Sequence, residues 1–247
     1  MKKYFFFIII FLIAYSLYVT QFQLKVDNYS DIVVAVTFFF TLFSGFFITR
    51  QNDRYTAVID EISNNDGLFS LLYRVSGVVP RVQDKVREAL RDHYQKIMDS
   101  NNWAYHVLNP SNTITRIFKA YSEVNNEERE KLSQFGDAYG GAFADIQVSR
   151  KKILMLFHQN LLPLQWSIII ILAIMMIVAF NFIPTYSLLI DALKIFFGLS
   201  VLLVVLLLKQ LDNLTLFGKD FNKKTANDIF RILDEKDMAE LGKLRKE

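Results

Sequence analysis

Four apolar segments constrain this chain more than any other feature of its sequence. They are residues 4–19, 32–48, 161–183 and 188–208; the first three carry no charge and the last carries only Asp191 and Lys194. A helix needs roughly 20 apolar residues to cross about 30 Å of hydrocarbon, and in lipid its backbone polar groups must be bonded internally. The sequence therefore predicts an all-α integral membrane protein with four transmembrane helices.

The first segment has two interpretations. Lys2 and Lys3 precede a short apolar stretch that ends near Ala14, as in a secretory signal peptide. The stretch is longer than a usual signal core, and Tyr15 and Tyr18 near its far end are typical of an interfacial anchor. A retained first span and a cleaved leader both stay open, and the orientation of the remaining chain is the same in either case.

Orientation follows from Lys and Arg beside the span ends, because cytoplasmic loops carry an excess of these residues. The two short connections, 20–31 and 184–186, contain only Lys25, whereas the opposite ends carry Lys2, Lys3, Arg50, Arg54, Arg150, Lys151, Lys152, Lys209, Lys219, Lys223 and Lys224. This pattern predicts cytoplasmic termini and four regions: spans 1 and 2 (1–48), a cytoplasmic helical domain (49–160), spans 3 and 4 (161–208) and a cytoplasmic C-terminal helix (209–247).

The central region shows helical periodicity and almost no strand pattern. Pro80 begins one predicted amphipathic helix, and Asn125 with Glu128 three residues later resembles a capping box that begins another. The second of these helices is predicted to continue to Ile146, with Gly140 and Gly141 as a point of bending. The expected apolar faces are Val82, Val86, Leu90, Tyr94, Ile97 and Met98 on the first helix, Leu132, Phe135, Tyr139, Phe143 and Ile146 on the second, and Ile229, Phe230, Leu233, Met238 and Leu241 on a tail helix that begins near Thr225.

Residue patterns of enzyme, metal and nucleic-acid sites are missing. The chain has no Cys, and its three His residues, His93, His106 and His158, are far apart. The glycines at 136, 140 and 141 do not follow a strand, so they do not form a dinucleotide or phosphate loop. A net charge of +3, from 28 basic and 25 acidic residues, argues against nucleic-acid binding. We expect no enzyme activity, no metal and no cofactor, with an active site built from distant residues as the alternative.

Three small hydroxyl residues form a stripe on the second span. Thr37, Thr41 and Ser44 fall at i, i+4 and i+7 on a helix otherwise rich in Phe. Such a stripe permits a close helix contact, or it lines a pore. In the pore the Phe residues pack outward or, if the helix is rotated, Phe39, Phe43 and Phe46 form an apolar gate. The residues alone favour the contact over the pore.

Polar residues near the ends of the fourth span are a second candidate. Asp191 and Lys194 lie three apart, and we expect them to pair with each other and to reach outward. Asp212 is expected to cap the end of this span or to contact the cytoplasmic domain.

The order of these features resembles the bacterial bestrophin-like membrane proteins of unknown function. The resemblance covers nearly the whole chain after the first span. It rests on Arg54-Tyr55, Glu61, Leu71-Leu72-Tyr73-Arg74, Pro80, Arg87, Leu90, Tyr94, Trp103, Ser149-Arg150-Lys151-Lys152, Pro163, Trp166, Leu211-Asp212 and Leu216-Phe217-Gly218. The resemblance implies structural roles for Glu61, Tyr73, Arg74, Tyr94, Trp103, Pro163, Trp166, Asp212 and Gly218.

Bestrophins are anion channels that assemble as pentamers, with four spans, cytoplasmic termini and a helical region between the second and third spans. The resemblance therefore implies a homo-oligomeric ion channel or pore of the bacterial inner membrane, surrounded by lipid, conducting ions and following the pentameric plan. The chain departs from the family in being short and in having Asn101 and Asn102, rather than a glutamate, before Trp103. The alternative is a membrane-anchored scaffold or signalling protein that binds partners through its cytoplasmic helical domain.

Overall fold

The computed structural model describes residues 29–100, 112–184, 187–215 and 219–234. These residues form helices and no strand, which confirms the all-helical prediction for this part of the chain. The predicted first span, Trp103, Gly218, Met238 and Leu241 lie outside the described residues. The helices are α1 (Tyr29–Ser76), α2 (Pro80–Ser100), α3 (Thr113–Ser122), α4 (Asn126–Ser133), α5 (Gly136–His158), α6 (Pro163–Asn181), α7 (Leu188–Asp212) and α8 (Lys219–Asp234).

The chain divides into two compact units. In the described ranges, the first unit contains residues 29–55 and 160–215, and we call it the span unit. The second contains residues 56–159 and 219–234, and we call it the bundle unit. Each unit has its own apolar core, so each is described by itself.

Helix α1 is longer than the sequence pattern predicts. The second span and the amphipathic helix after it are one continuous helix of 48 residues. No Pro occurs between its ends, and Gly45 and Gly67 stand alone rather than in a breaking pair. Because an isolated Gly costs a helix only about 1 kcal/mol, the change from an apolar to an amphipathic pattern does not end it.

Three helices, α1, α6 and α7, are long and apolar enough to cross a membrane. Pro163 occupies the first turn of α6, where its missing N–H costs no helical hydrogen bond. The three helices share two small apolar clusters, one around Phe40, Met176 and Val201 and one around Phe47 and Leu208. Most other apolar side chains of these helices are exposed, as lipid-facing residues would be.

The bundle unit has a larger core, built from α2, α3, α5, α8 and the C-terminal part of α1. The predicted face of α2 is confirmed, because five of its six expected residues are buried and the sixth, Met98, is partly buried against the same core: the five are Val82, Val86, Leu90, Tyr94 and Ile97. Ile117 from α3 and Ile146 from α5 are fully buried in the same core.

The predicted capping box is present, but the helix that it begins is short. The side chain of Asn125 accepts the Glu128 backbone N–H at 2.8 Å, and the Glu128 carboxylate accepts the Asn125 N–H at 3.0 Å. Helix α4 ends at Ser133, since Phe135 leaves helical geometry with φ −115° and ψ 16°. The expected single helix is therefore two helices, and the break lies at Phe135 rather than at Gly140 and Gly141, through which α5 continues.

Helix α8 confirms the predicted tail helix but begins earlier, at Lys219. Its residues Ala226, Ile229 and Leu233 are buried in the bundle core. The Tyr73 hydroxyl donates to the Leu233 carbonyl at 3.2 Å, and Arg91 forms an ion pair with Asp234.

We predict that Asn125→Ala lowers the unfolding free energy of the bundle unit by about 1 kcal/mol, because it removes the oxygen that accepts the Glu128 N–H. Asn126→Ala, one residue along and equally exposed, is the matched control and leaves stability unchanged. Thermal unfolding in detergent, followed by circular dichroism, measures both. Equal losses of unfolding free energy in the two variants would show that the Asn125 side chain does not stabilise α4 as a cap.

Candidate functional site

A buried pair of opposite charges lies where α1, α6 and α7 meet within the span unit. Arg54 on α1 and Asp212 at the end of α7 have only 4% and 8% of their side chains exposed, and their closest charged atoms are 3.8 Å apart. We call this pair and its hydrogen-bond partners the clamp.

The guanidinium of Arg54 donates to oxygens from two other segments of the span unit. Its Nη1 donates to the Asp212 backbone carbonyl at 2.9 Å, and its Nη2 donates to Asn160 Oδ1 at 2.8 Å. Nη1 also donates to Gln51 Oε1 at 2.8 Å, three residues earlier on the same helix. Gln51 is fully buried, and its Nε2 has no partner in the described part of the chain.

The carboxylate of Asp212 is held by the chain around the start of α6. Its Oδ1 accepts the Leu161 backbone N–H at 2.7 Å, and its Oδ2 accepts the Trp166 indole N–H at 2.9 Å. Asp212 was expected to cap its own helix or to contact the cytoplasmic domain. Within the span unit it instead satisfies donors beside α6.

Local sequence explains how the clamp residues come together. Gln51 and Arg54 lie three apart, so they share one helix face. Asn160 and Leu161 precede Pro163, which fixes the first turn of α6 and leaves the preceding residues extended. Trp166 follows one turn later and reaches back to Asp212.

Buried charges of this kind are costly unless they are paired and fully hydrogen-bonded. Arg54 and Asp212 meet that condition through oxygens and N–H groups supplied by α1, α7 and the segment before α6. The clamp therefore fixes the ends of three spans in one geometry. Apart from Gln51 Nε2, the polar atoms named here are bonded to protein atoms, which suits a structural role better than substrate binding.

The sequence analysis identified Asp212 and Trp166 as candidate residues. It used Arg54 only as a positive charge that indicates orientation and as part of the resemblance. It missed Gln51 and Asn160. A usable signal was present, because Gln51 and Arg54 are polar residues on one face just beyond an apolar span, and such residues are expected to find partners.

The three residues of the polar stripe on α1 have different environments in the structure. The Thr37 hydroxyl donates to the Val33 carbonyl at 2.6 Å and lies 3.5 Å from Met176 Sδ of α6, while the buried Ser44 hydroxyl donates to the Phe40 carbonyl at 2.5 Å. Thr41 is exposed, and no partner for its hydroxyl occurs among the described residues. Thr37 and Ser44 thus belong to packing within the chain, whereas Thr41 does not.

The three predicted gate residues also differ in exposure. Phe39 and Phe46 are exposed, at 48% and 61%, and Phe43 is partly buried against the cluster around Phe47. Phe43 stacks on Phe47 with ring centroids 6.3 Å apart. Phe39 and Phe46 are exposed on the opposite flank of α1 from Thr41, because the helical step places them roughly 140–160° around the axis from it.

At the other end of α7, Lys194 is buried, with 3% of its surface exposed, and interacts electrostatically with Asp191. The expected ion pair therefore stays a prediction, but the expectation that Lys194 reaches outward is wrong, because its side chain is buried.

The remaining residues of the resemblance fall in the bundle unit and make structural contacts. Glu61 accepts from Lys152 at 3.1 Å, Tyr73 accepts from Arg87 at 2.8 Å, and Tyr94 donates to Asp66. Arg74 is exposed. These contacts tie α1 to α2 and α5 within that unit.

No group of three or more His, Cys, Asp or Glu side chains in the described ranges is arranged to hold a metal ion. Comparison with protein-family models, curated proteins and solved structures finds no match. The resemblance to bestrophin-like proteins therefore stays a prediction from the sequence.

We predict that Asp212→Ala lowers the unfolding free energy by about 3–5 kcal/mol, because it leaves the buried Arg54 guanidinium without its counter-charge. Trp166→Phe keeps the ring and removes one donor to the carboxylate, so its loss is smaller, about 1.5–3 kcal/mol.

Thermal unfolding in detergent measures both losses. Glu127→Gln is the control, because it breaks an exposed ion pair with Lys131 and leaves the midpoint unchanged. A wild-type midpoint for Asp212→Ala would show that the clamp contributes nothing to stability.

Proposed function

We propose that the chain is the subunit of a homo-oligomeric ion channel or pore of the bacterial inner membrane, with α1 lining the axis. In this proposal the segment 4–19 is a further span, both termini and the bundle unit are cytoplasmic, and the assembly follows the pentameric plan of bestrophins. The distribution of Lys and Arg and the resemblance support this topology.

The observation that carries the proposal is the position of Thr41. A hydroxyl without a partner is costly in hydrocarbon, and the hydroxyl of Thr41 is exposed in the middle of an apolar span while those of Thr37 and Ser44 are bonded. Water in a pore would satisfy it. With Thr41 at the axis, Phe39 and Phe46 lie on the opposite flank of the helix and would pack outward, against lipid or a neighbouring subunit.

We predict that purified protein in liposomes conducts ions and that Thr41→Val reduces the flux several-fold, because the pore then loses a hydroxyl that solvates the ion. Thr37→Val is the matched control, since the Thr37 hydroxyl is bonded within its own helix, and it leaves the flux unchanged. Flux is followed with entrapped fluorescent reporters for chloride, potassium and sodium.

Two results would contradict the pore. One is the absence of flux from a folded oligomer for all three ions. The other is an equal effect of Thr41→Val and Thr37→Val, which would assign the change to helix packing rather than to the axis.

A second candidate function is a membrane-anchored scaffold, and it is supported by Phe118. This side chain on α3 is 61% exposed on the bundle unit, and its ring lies 5.7 Å from that of Phe143. Large exposed aromatic side chains on a polar helical unit are typical of protein-binding surfaces.

In the scaffold case, Phe118→Ser abolishes crosslinking of a protein partner in cells, and Thr41→Val does not affect it. If the protein is a channel, Thr41→Val reduces the ion flux and Phe118→Ser leaves it unchanged. Crosslinking followed by mass spectrometry, run beside the liposome assay, separates the two functions.

A further inference from the structure

The last turns of α5 carry basic and apolar side chains that the described part of the bundle unit leaves exposed. At about 100° per residue, five of them fall within an arc of roughly 120° around the helix axis. They are Val148, Lys151, Leu154, Met155 and His158. All five are exposed, Met155 at 65%, whereas Ile146, Ser149 and Ile153 on the opposite side are buried. We call the exposed arc the α5 face.

The α5 face carries positive charge and no acidic residue. The chain has no Asp or Glu between Asp145 and Asp191, so α5 supplies no counter-charge to its own last turns. Glu61 of α1 is paired with the neighbouring Lys152 at 3.1 Å. No carboxylate in the described ranges pairs with Lys151. The charge of Lys151 is therefore available to an anion from outside the chain.

The length of α6 fixes where α5 ends relative to a bilayer. Helix α6 has 19 residues, about 28 Å at 1.5 Å per residue, so it needs its whole length to cross about 30 Å of hydrocarbon. Its first residue, Pro163, therefore lies at the edge of the hydrocarbon. The side chains of Leu162 and Leu164 at this edge are apolar and exposed, at 63% and 71%.

Only residues 159–162 separate the end of α5 from the start of α6. A chain of this length, measured from His158 to Pro163, extends at most about 17 Å. The headgroup layer outside the hydrocarbon is itself about 5–8 Å thick. The chain length alone therefore keeps the last turns of α5 within reach of lipid headgroups.

The side chains of the α5 face suit a membrane surface better than a protein partner. The face contains no Trp, Tyr or Arg, the residues that dominate the energetics of protein interfaces. Aliphatic side chains such as Leu154 and Met155 enter the boundary between headgroups and acyl chains. Lysine lays its apolar stem along such neighbours and extends its ammonium toward the lipid phosphates.

We propose that the α5 face is a binding surface for anionic phospholipids of the leaflet at which α6 begins. Lys151 binds the headgroup phosphate, and Leu154 and Met155 pack against the adjoining acyl chains. The inference rests on α6 crossing a bilayer and does not rest on ion conduction. Absence of ion flux would therefore leave it unaffected, and its failure would leave the proposed channel unaffected.

The absence of Cys from the chain makes a direct test possible. Met155→Cys gives a single exposed thiol on the α5 face, which is labelled with the fluorophore bimane. The full-length protein is reconstituted in nanodiscs of phosphatidylcholine and phosphatidylglycerol. A quenching doxyl group on the acyl chain next to the headgroup is carried either by phosphatidylglycerol or by phosphatidylcholine, at equal content.

We predict that doxyl-phosphatidylglycerol quenches the label about five-fold more efficiently than doxyl-phosphatidylcholine, because one basic side chain close to an anionic surface contributes roughly that factor. Lys151→Gln lowers the ratio to less than about two. Lys131→Gln is the matched control, because it removes the same charge from a residue that precedes α5. About 22 Å of helix separates Gly136 from Lys151, which exceeds the Debye length of about 8 Å, so the control leaves the ratio unchanged.

Equal quenching by the two doxyl lipids would overturn the proposal, as would equal effects of Lys151→Gln and Lys131→Gln on the ratio. A label quenched by aqueous iodide and by neither lipid would place the face in water. A label protected from iodide and from both lipids would assign the face to a protein partner or a second copy of the chain, and either result rejects the lipid surface. If Met155→Cys does not fold, Leu154→Cys on the same face provides the same comparison.

Discussion

Two opposite charges, Arg54 and Asp212, are withdrawn from water at the ends of the spans, and the arrangement of the span unit depends on their being paired. Both side chains form hydrogen bonds with other segments. The Arg54 guanidinium donates to Asn160 and to the Asp212 backbone carbonyl, and the Asp212 carboxylate accepts from Leu161 and Trp166. Apolar packing among α1, α6 and α7 is limited to two small clusters, and many of their other apolar side chains are exposed. The apolar contacts are non-directional, so the polar clamp is what selects one arrangement of the three helix ends.

The bundle unit accommodates its buried polar side chains in a different way. Its core is a continuous apolar cluster, and the polar side chains buried in the described part of this unit are hydroxyls and the imidazole of His93. The Tyr121 hydroxyl, for example, donates to the Leu72 carbonyl at 2.7 Å. Asp66 is the exception, because its partner is a neutral hydroxyl rather than a cation. The clamp therefore buries two charges that neutralise each other, whereas Asp66 relies on a hydroxyl donor.

Helix α1 shows how burial assigns different roles to similar residues. Thr37, Thr41 and Ser44 are equivalent in the sequence, yet two of the hydroxyls are bonded within the helix, while Thr41 belongs to an outward-facing set with Phe39 and Phe46, which lie on the opposite flank of the helix. The packing and pore interpretations of the stripe are thus compatible, since they apply to different residues. The proposed channel rests on the outward-facing set, and its requirement for further subunits follows from the exposure of that set.

The sequence by itself determined the elements. Apolar length predicts the three spans of the described residues, helical periodicity predicts the buried face of α2, and the Asn125–Glu128 spacing predicts the start of α4, because each depends on chemistry within a few turns of chain. Tertiary structure decided the rest. The continuity of α1, the break at Phe135, the burial of Lys194, and the meeting of Arg54 with Asp212 and of Asp66 with Tyr94 each depend on which surfaces pack together. Residues such as Arg54 and Asp212, 158 positions apart in the chain, leave no local pattern that would reveal such a meeting.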